Sequence, residues 1–185
     1  MTAVQNRPDA PALPVETDVV TTSSARAALA VTRLATGFIF LWAFLDKTFG
    51  LGYSTPSERA WINGGTPSQG FLTSEGVIGP FADFFHGIAS PLTDWLFMLG
   101  MLGIGAAVML GVGLRVAAWA GSIMMGLMWL AEWPLEQGST NPLVDYHVIY
   151  ALALVVCALT LAGDTWGLGR RWAALPMVRQ QRWLR

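Results

Sequence analysis

A single cysteine in 185 residues removes several chemistries at once. With Cys157 alone, the chain has no intrachain disulfide, no Cys-x-x-Cys redox pair and no thiolate metal site. Its place in the middle of the last apolar segment marks it as a small packing residue. Charge is scarce as well: Asp, Glu, Lys and Arg make up 12% of the chain and the formal net charge is -1. There is no long basic run, and phosphate binding needs clustered Lys and Arg, so nucleic acid is excluded as a partner. Histidine is limited to His86 and His147, one of them in a loop, which gives haem ligation little to build on. Glu132, Asp145, His147 and Asp46 are acceptable metal-ligand types, but no spacing signature demands a metal, and none is predicted.

Apolar side chains are what the chain has in quantity. Hydrophobic residues make up 54% of it and the mean hydropathy is +0.48, too apolar for an ordinary soluble domain. The composition predicts an integral membrane protein, in contact with the lipid bilayer throughout, and nine Trp suit two aromatic interfacial belts. The first 24 residues are rich in Pro, Thr, Ala and Ser without the apolar core of a signal peptide, and read as a disordered tail.

Hydropathy places spans at about Ala27 to Asp46, Leu92 to Gly113, Val116 to Trp133 and Leu143 to Ala162, each near the roughly 20 residues that a crossing helix needs. The fold predicted is all-α, a membrane four-helix bundle over residues 25–172 with a long structured outer loop between its first two helices and a basic tail at 173–185. Arg26, Arg33, Arg115 and the arginines from Arg170 to Arg185 collect with Arg7 on one side, and the other has only Lys47 and Arg59 against eight carboxylates. By the positive-inside rule this is a multi-pass cell-membrane protein with both termini cytoplasmic and its acidic end outward. Ser90-Pro91 and Asn141-Pro142 each put a capping side chain before a proline at the first helical position. Small residues recur every four positions at Gly103, Ala107 and Gly111 and at Ala118, Ser122 and Gly126; these stripes predict close packing of spans two and three.

The connection from Thr48 to Ala89 is too long and too aromatic for idle loop, and predicts a segment folded onto the outer face. Within it, Gly79 to His86 reads as a short interfacial helix with Phe81, Phe84 and Phe85 on one face.

Ionisable groups gather at that same end of the predicted bundle. Asp46 and Lys47 close the first span, Glu132 closes the third, and Asp145 and His147 open the fourth. Such groups are costly near hydrocarbon, so their clustering is a functional-site hypothesis, against the alternative that they merely mark where lipid ends. Asp145 in a first helical turn is favoured by the helix dipole. His147, with Tyr150 three residues on, suggests an imidazole and phenol pair lining the interior, and imidazole suits proton exchange near neutral pH. Lys47 is a candidate anion contact.

Several segments carry a family resemblance. Phe40-Leu41-Trp42-Ala43-Phe44-Leu45-Asp46-Lys47, Ala60-Trp61-Ile62-Asn63-Gly64-Gly65, Gly79-Pro80-Phe81-Ala82-Asp83-Phe84-Phe85 and the run from Asn141 to Leu152 together resemble the DoxX/DoxD family, over about Ala25 to Trp172. The resemblance implies four membrane helices and, for DoxD-like members, a subunit of thiosulfate:quinone oxidoreductase. It would make Lys47, Arg59 and His86, with the loop residues Trp61 and Asn63, the substrate-binding set. Trp42, Trp129, Trp133 and Tyr150 would flank a quinone, and His147, Asp145, Glu132 and Asp46 would serve catalysis by moving protons. The acidic surplus on that face opposes a dianionic substrate. Two other classes therefore stay open: a non-enzymatic scaffold or assembly subunit for a second redox subunit, and a small transporter or quinone-binding protein. A homo-oligomer is also left open.

Overall fold

The computed structural model describes residues 13–136 and 141–185. Their regular structure is all helical: α1 (Glu16–Val19), α2 (Ser23–Phe49), α3 (Gln69–Leu72), α4 (Ala82–Gly87), α5 (Pro91–Leu110), α6 (Leu114–Glu132), α7 (Tyr146–Leu159), α8 (Gly169–Ala174) and α9 (Pro176–Gln180), with 3-10 turns at Ser57–Arg59, Trp61–Asn63 and Arg182–Leu184. Three of them, α2, α5 and α6, are long and apolar enough to cross a membrane, which makes this a multi-spanning membrane protein.

Local chemistry sets the helix ends. Ser90 caps α5 as the sequence predicts, through reciprocal bonds with Thr93, with Pro91 in the first turn. The fourth apolar segment departs from expectation at both ends. The Asn141 side-chain oxygen accepts from the N–H groups of Leu143 and Val144, both at 3.0 Å, which folds a turn instead of starting a helix at Pro142. Asp145 is the true cap, and α7 begins one residue later. At the far end Leu161 takes a φ of 55°, closed to further helix. With 14 residues, α7 is about 21 Å long at 1.5 Å per residue, short of the roughly 30 Å hydrocarbon core.

α2 packs against α5 and α7, and α6 packs against α7 and more sparsely against α5. The close approach differs from the small-residue stripes expected for spans two and three. A Cβ on Gly103 or Gly126 would meet nothing within 4 Å, whereas one on Gly105 would lie 2.6 Å from the Leu41 backbone nitrogen and one on Gly37 2.8 Å from that of Met109. Backbones therefore touch between α2 and α5, at glycines outside either stripe. The core between the helices is built from Phe40, Ile104, Val108, Leu114, Met125 and Leu154 with small residues among them.

Arg33 ties this arrangement together. Its side chain is 0% exposed, and all five of its N–H donors meet backbone carbonyls: Nε on Ala162 at 3.0 Å, one terminal nitrogen on Val108 and Met109, both at 2.6 Å, and the other on Thr165 and Trp166 at 3.4 and 3.0 Å. Those carbonyls belong to the last turn of α5 and to the turn after α7, where backbone groups have no helical partner. The segments expected as tails add to this end. Residues 1–12 of the expected disordered tail lie outside the described residues, but Glu16 is buried, with its N–H on Asp164 and its carboxylate receiving the Thr165 hydroxyl. Arg185 reaches the same Asp164 at 2.8 Å, so the basic C-terminal stretch also folds back onto the bundle.

The long connection is folded too. Leu72, Val77 and Phe85 form a second core with Ala131 of α6, and Ile78 donates to the Ala131 carbonyl at 3.0 Å. Phe85 turns into that core while Phe81 and Phe84 are exposed, so the three phenylalanines do not share a face as expected.

Replacing Arg33 by Met keeps the bulk and removes every donor; unfolding in detergent followed by circular dichroism should show a loss of at least about 3 kcal/mol. In the same assay Gly105→Ala should destabilise, and Gly103→Ala should be neutral or stabilising by up to about 1 kcal/mol.

Candidate functional site

The end of α6 and the start of α7 meet at the face that carries the long loop. Asp145 uses its two oxygens separately. Oδ1 caps α7 by accepting from the N–H groups of His147 and Val148 at 3.0 and 3.3 Å, and Oδ2 lies 2.8 Å from His147 Nδ1. A carboxylate only accepts, so Nδ1 carries the proton, and in the neutral ring Nε2 presents a lone pair. Glu132, the last residue of α6, accepts from the Tyr146 hydroxyl at 3.3 and 3.4 Å. Ligand atoms of Glu132, Asp145 and His147 all lie within 4.8 Å of one another. The clustering expected of these three residues is therefore found.

His147 also faces inward. Its side chain is 1% exposed, and it lines a cavity of about 480 Å³ between α6 and α7, together with Ser122, Met125, Gly126, Trp129, Leu143, Val148, Ala151, Leu152 and Val155. That volume is in the usual range of small-molecule sites, roughly 300–1,000 Å³. Three of these lining residues have a buried polar atom with no hydrogen-bond partner among the described residues: Ser122 Oγ, Trp129 Nε1 and His147 Nε2. Buried polar groups are nearly always satisfied, so three orphans around one apolar cavity ask for an explanation. α6 and α7 run antiparallel, with Trp129 one turn from the end of α6 and His147 in the first turn of α7, which sets both at the cavity's loop end. Ser122, seven residues earlier on α6, lies about 10 Å deeper. Part of the stripe expected to pack helices, Ser122 and Gly126, instead leaves this space open.

The remaining expected site residues lie elsewhere. Asp46 is 1% exposed and accepts from the backbone N–H of Tyr53 and from the N–H and hydroxyl of Ser54, at 3.2, 3.0 and 2.7 Å. It anchors the start of the loop and does not join the His147 cluster. Lys47, beside it, is partly exposed. Arg59 and His86 are exposed on separate loop elements, Asn63 donates to the Ser57 carbonyl, and Trp61 packs edge-on against Trp95 with centroids 4.6 Å apart. Of the four residues expected around a ring, only Trp129 lines the cavity. Trp42 packs on Phe38 and Tyr53, Trp133 on Trp129 and Phe81, and Tyr150 on the helical core and Tyr146. His147 thus has Tyr146 as its ring neighbour, 4.0 Å between centroids, in place of the expected Tyr150.

Asp94 has an anchoring role that the sequence reading missed. It receives the N–H and hydroxyl of Ser68 at 2.7 and 2.8 Å and both the backbone and side-chain amides of Gln69. The available signal was an acid in the first turn of an apolar helix that follows a long loop containing Ser68 and Gln69. Comparison with protein-family models, with curated proteins and with solved structures finds no match to this chain.

Asp46→Ala and Asp94→Ala should each free several loop N–H groups. Hydrogen exchange should rise in residues 50–60 for the first and 66–73 for the second, with α7 unchanged; a rise spread equally through α7 would contradict the anchoring role.

Proposed function

We propose that this chain is a four-span membrane protein that binds a quinone or quinol between α6 and α7, as the membrane subunit of a quinone-linked oxidoreductase. In this reading α7, extended by the apolar residues on either side, is the fourth span, and the arginine-rich face is cytoplasmic by the positive-inside rule. The supporting observation is the apolar cavity of about 480 Å³, three of whose lining residues have an unpartnered buried polar atom. Met125, Val148, Ala151, Leu152 and Val155 suit an aromatic ring and an alkyl chain entering from lipid, and the polar end suits ring oxygens.

His147 would be the catalytic residue of this reading, since its Nε2 is the unpartnered basic atom among the cavity-lining residues. Asp145 orients the imidazole and stabilises it when protonated, and Glu132, bonded to the Tyr146 hydroxyl and within 4.8 Å of the pair, would exchange the proton with the aqueous face. The quinone supplies the two-electron chemistry; the polypeptide, with one buried cysteine, supplies binding, orientation and proton exchange. Resemblance to the DoxX/DoxD family supports the same reading and adds a reduced sulfur compound such as thiosulfate as electron donor at the loop face. That half has weaker support: Lys47, Arg59 and His86 are on different elements, and among the described residues no hydrogen bond or ion pair joins them.

Purified in detergent and extracted with organic solvent, the wild-type protein should yield bound quinone by chromatography. Gly126→Leu places a side chain in open cavity space; it should reduce bound quinone at least roughly tenfold while thermal stability holds or rises, because Gly is a poor helix former. A wild-type protein that carries no quinone, and takes none up from a decyl-substituted benzoquinone, would overturn the reading.

A further inference from the structure

We infer that the site between α6 and α7 selects the reduced, hydroxyl-bearing form of its ligand, binding a quinol or similar lipophilic phenol more tightly than the corresponding quinone. This rests on the reading of the cavity as a quinone or quinol site and adds which redox form its hydrogen-bonding groups prefer.

Two of the three unpartnered atoms have fixed and opposite roles. Trp129 Nε1 is a donor and nothing else. His147 Nε2 is an acceptor in the neutral ring, because the Nδ1 proton is held 2.8 Å from Asp145 Oδ2. Both atoms are buried and both residues line the cavity at its loop end. A hydroxyl placed between the two residues would answer both, its oxygen accepting from the indole and its proton donated to the imidazole. A carbonyl oxygen only accepts. It would serve Trp129 and set a lone pair against the lone pair of Nε2, leaving a buried acceptor unmet. Ser122 donates or accepts equally well and does not discriminate.

Asp145 dictates this choice through its helix cap. Oδ1 must accept from the N–H groups of His147 and Val148, so Oδ2 is the atom left to face the ring. In Asp145→Asn the carbonyl oxygen is retained at the cap, where Asn serves as well as Asp. The amide nitrogen then faces Nδ1 and donates to it, which moves the ring proton to Nε2. The wall of the cavity becomes donor against donor, and the preferred group becomes a carbonyl.

The test is isothermal titration of the full chain in detergent, without oxygen and at the same pH for both ligands, with a decyl-substituted benzoquinone and with its quinol. The quinol should bind wild type at least roughly tenfold more tightly, and Asp145→Asn should reverse the order. Trp129→Phe gives a second measurement independent of the α7 cap: it should weaken the quinone more than the quinol, since Trp129 is the carbonyl's one partner among the two discriminating atoms. Equal affinities in wild type, or an order unchanged by Asp145→Asn, would overturn the inference and leave the cavity a quinone site. Absence of binding by either form would overturn both.

Discussion

A guanidinium buried among apolar helices is the constraint around which this fold is organised. Arg33 has no carboxylate within ion-pair distance among the described residues, and its charge is met instead by five backbone carbonyls from three stretches of chain. Helix C-termini carry partial negative charge and unpaired carbonyls, so one cation settles the end of α5 and the turn after α7 together. That turn contains Leu161 and Trp166 at φ of 55° and 52°, a conformation that side-chain-bearing residues rarely adopt. Arg33 holds Ala162, Thr165 and Trp166 in it. Register between α2, α5 and α7 follows, because sliding any of the three would strand a donor or an acceptor away from water.

The opposite end of the bundle uses the complementary device. There Asp46 at the end of α2 and Asp94 at the start of α5 collect backbone N–H groups from the loop. Carbonyls are gathered by a cation at one face and amides by anions at the other. Arg33, Asp46 and Asp94 are thereby committed largely to the backbone. Asp145 divides itself between the two tasks, one oxygen on the α7 cap and one on His147, which makes local folding and the orientation of the imidazole a single event.

The sequence was most legible where a feature is local. Ser90-Pro91 starts α5 as its residues predict, and the proximity of Glu132, Asp145 and His147 follows from antiparallel helices ending and starting at the same level. Asn141-Pro142 misled because asparagine caps helices and folds turns with the same side-chain oxygen. Arg33 was counted as a cytoplasmic charge because nothing local distinguishes an arginine reaching water from one reaching carbonyls that lie more than 70 residues away in sequence. The stripes are legible only in part for a related reason: Ala107 and Ala118 pack at the core, but the closest backbone approaches, Gly105 to Leu41 and Gly37 to Met109, arise only in three dimensions, and Ser122 and Gly126 border a void. Trp42, Trp133 and Tyr150 share composition and depth with Trp129, and only the rotation of each helix separates ring packing from cavity wall.

The unequal lengths of α2 and α7 have a consequence for the flank that α7 forms. With 27 residues against 14, the two differ by about 20 Å at 1.5 Å per residue. Regular helix therefore runs much less far along α7, and the apolar residues on either side of it continue the segment outside regular helix. The flank concerned is the one where α6 and α7 part around the cavity.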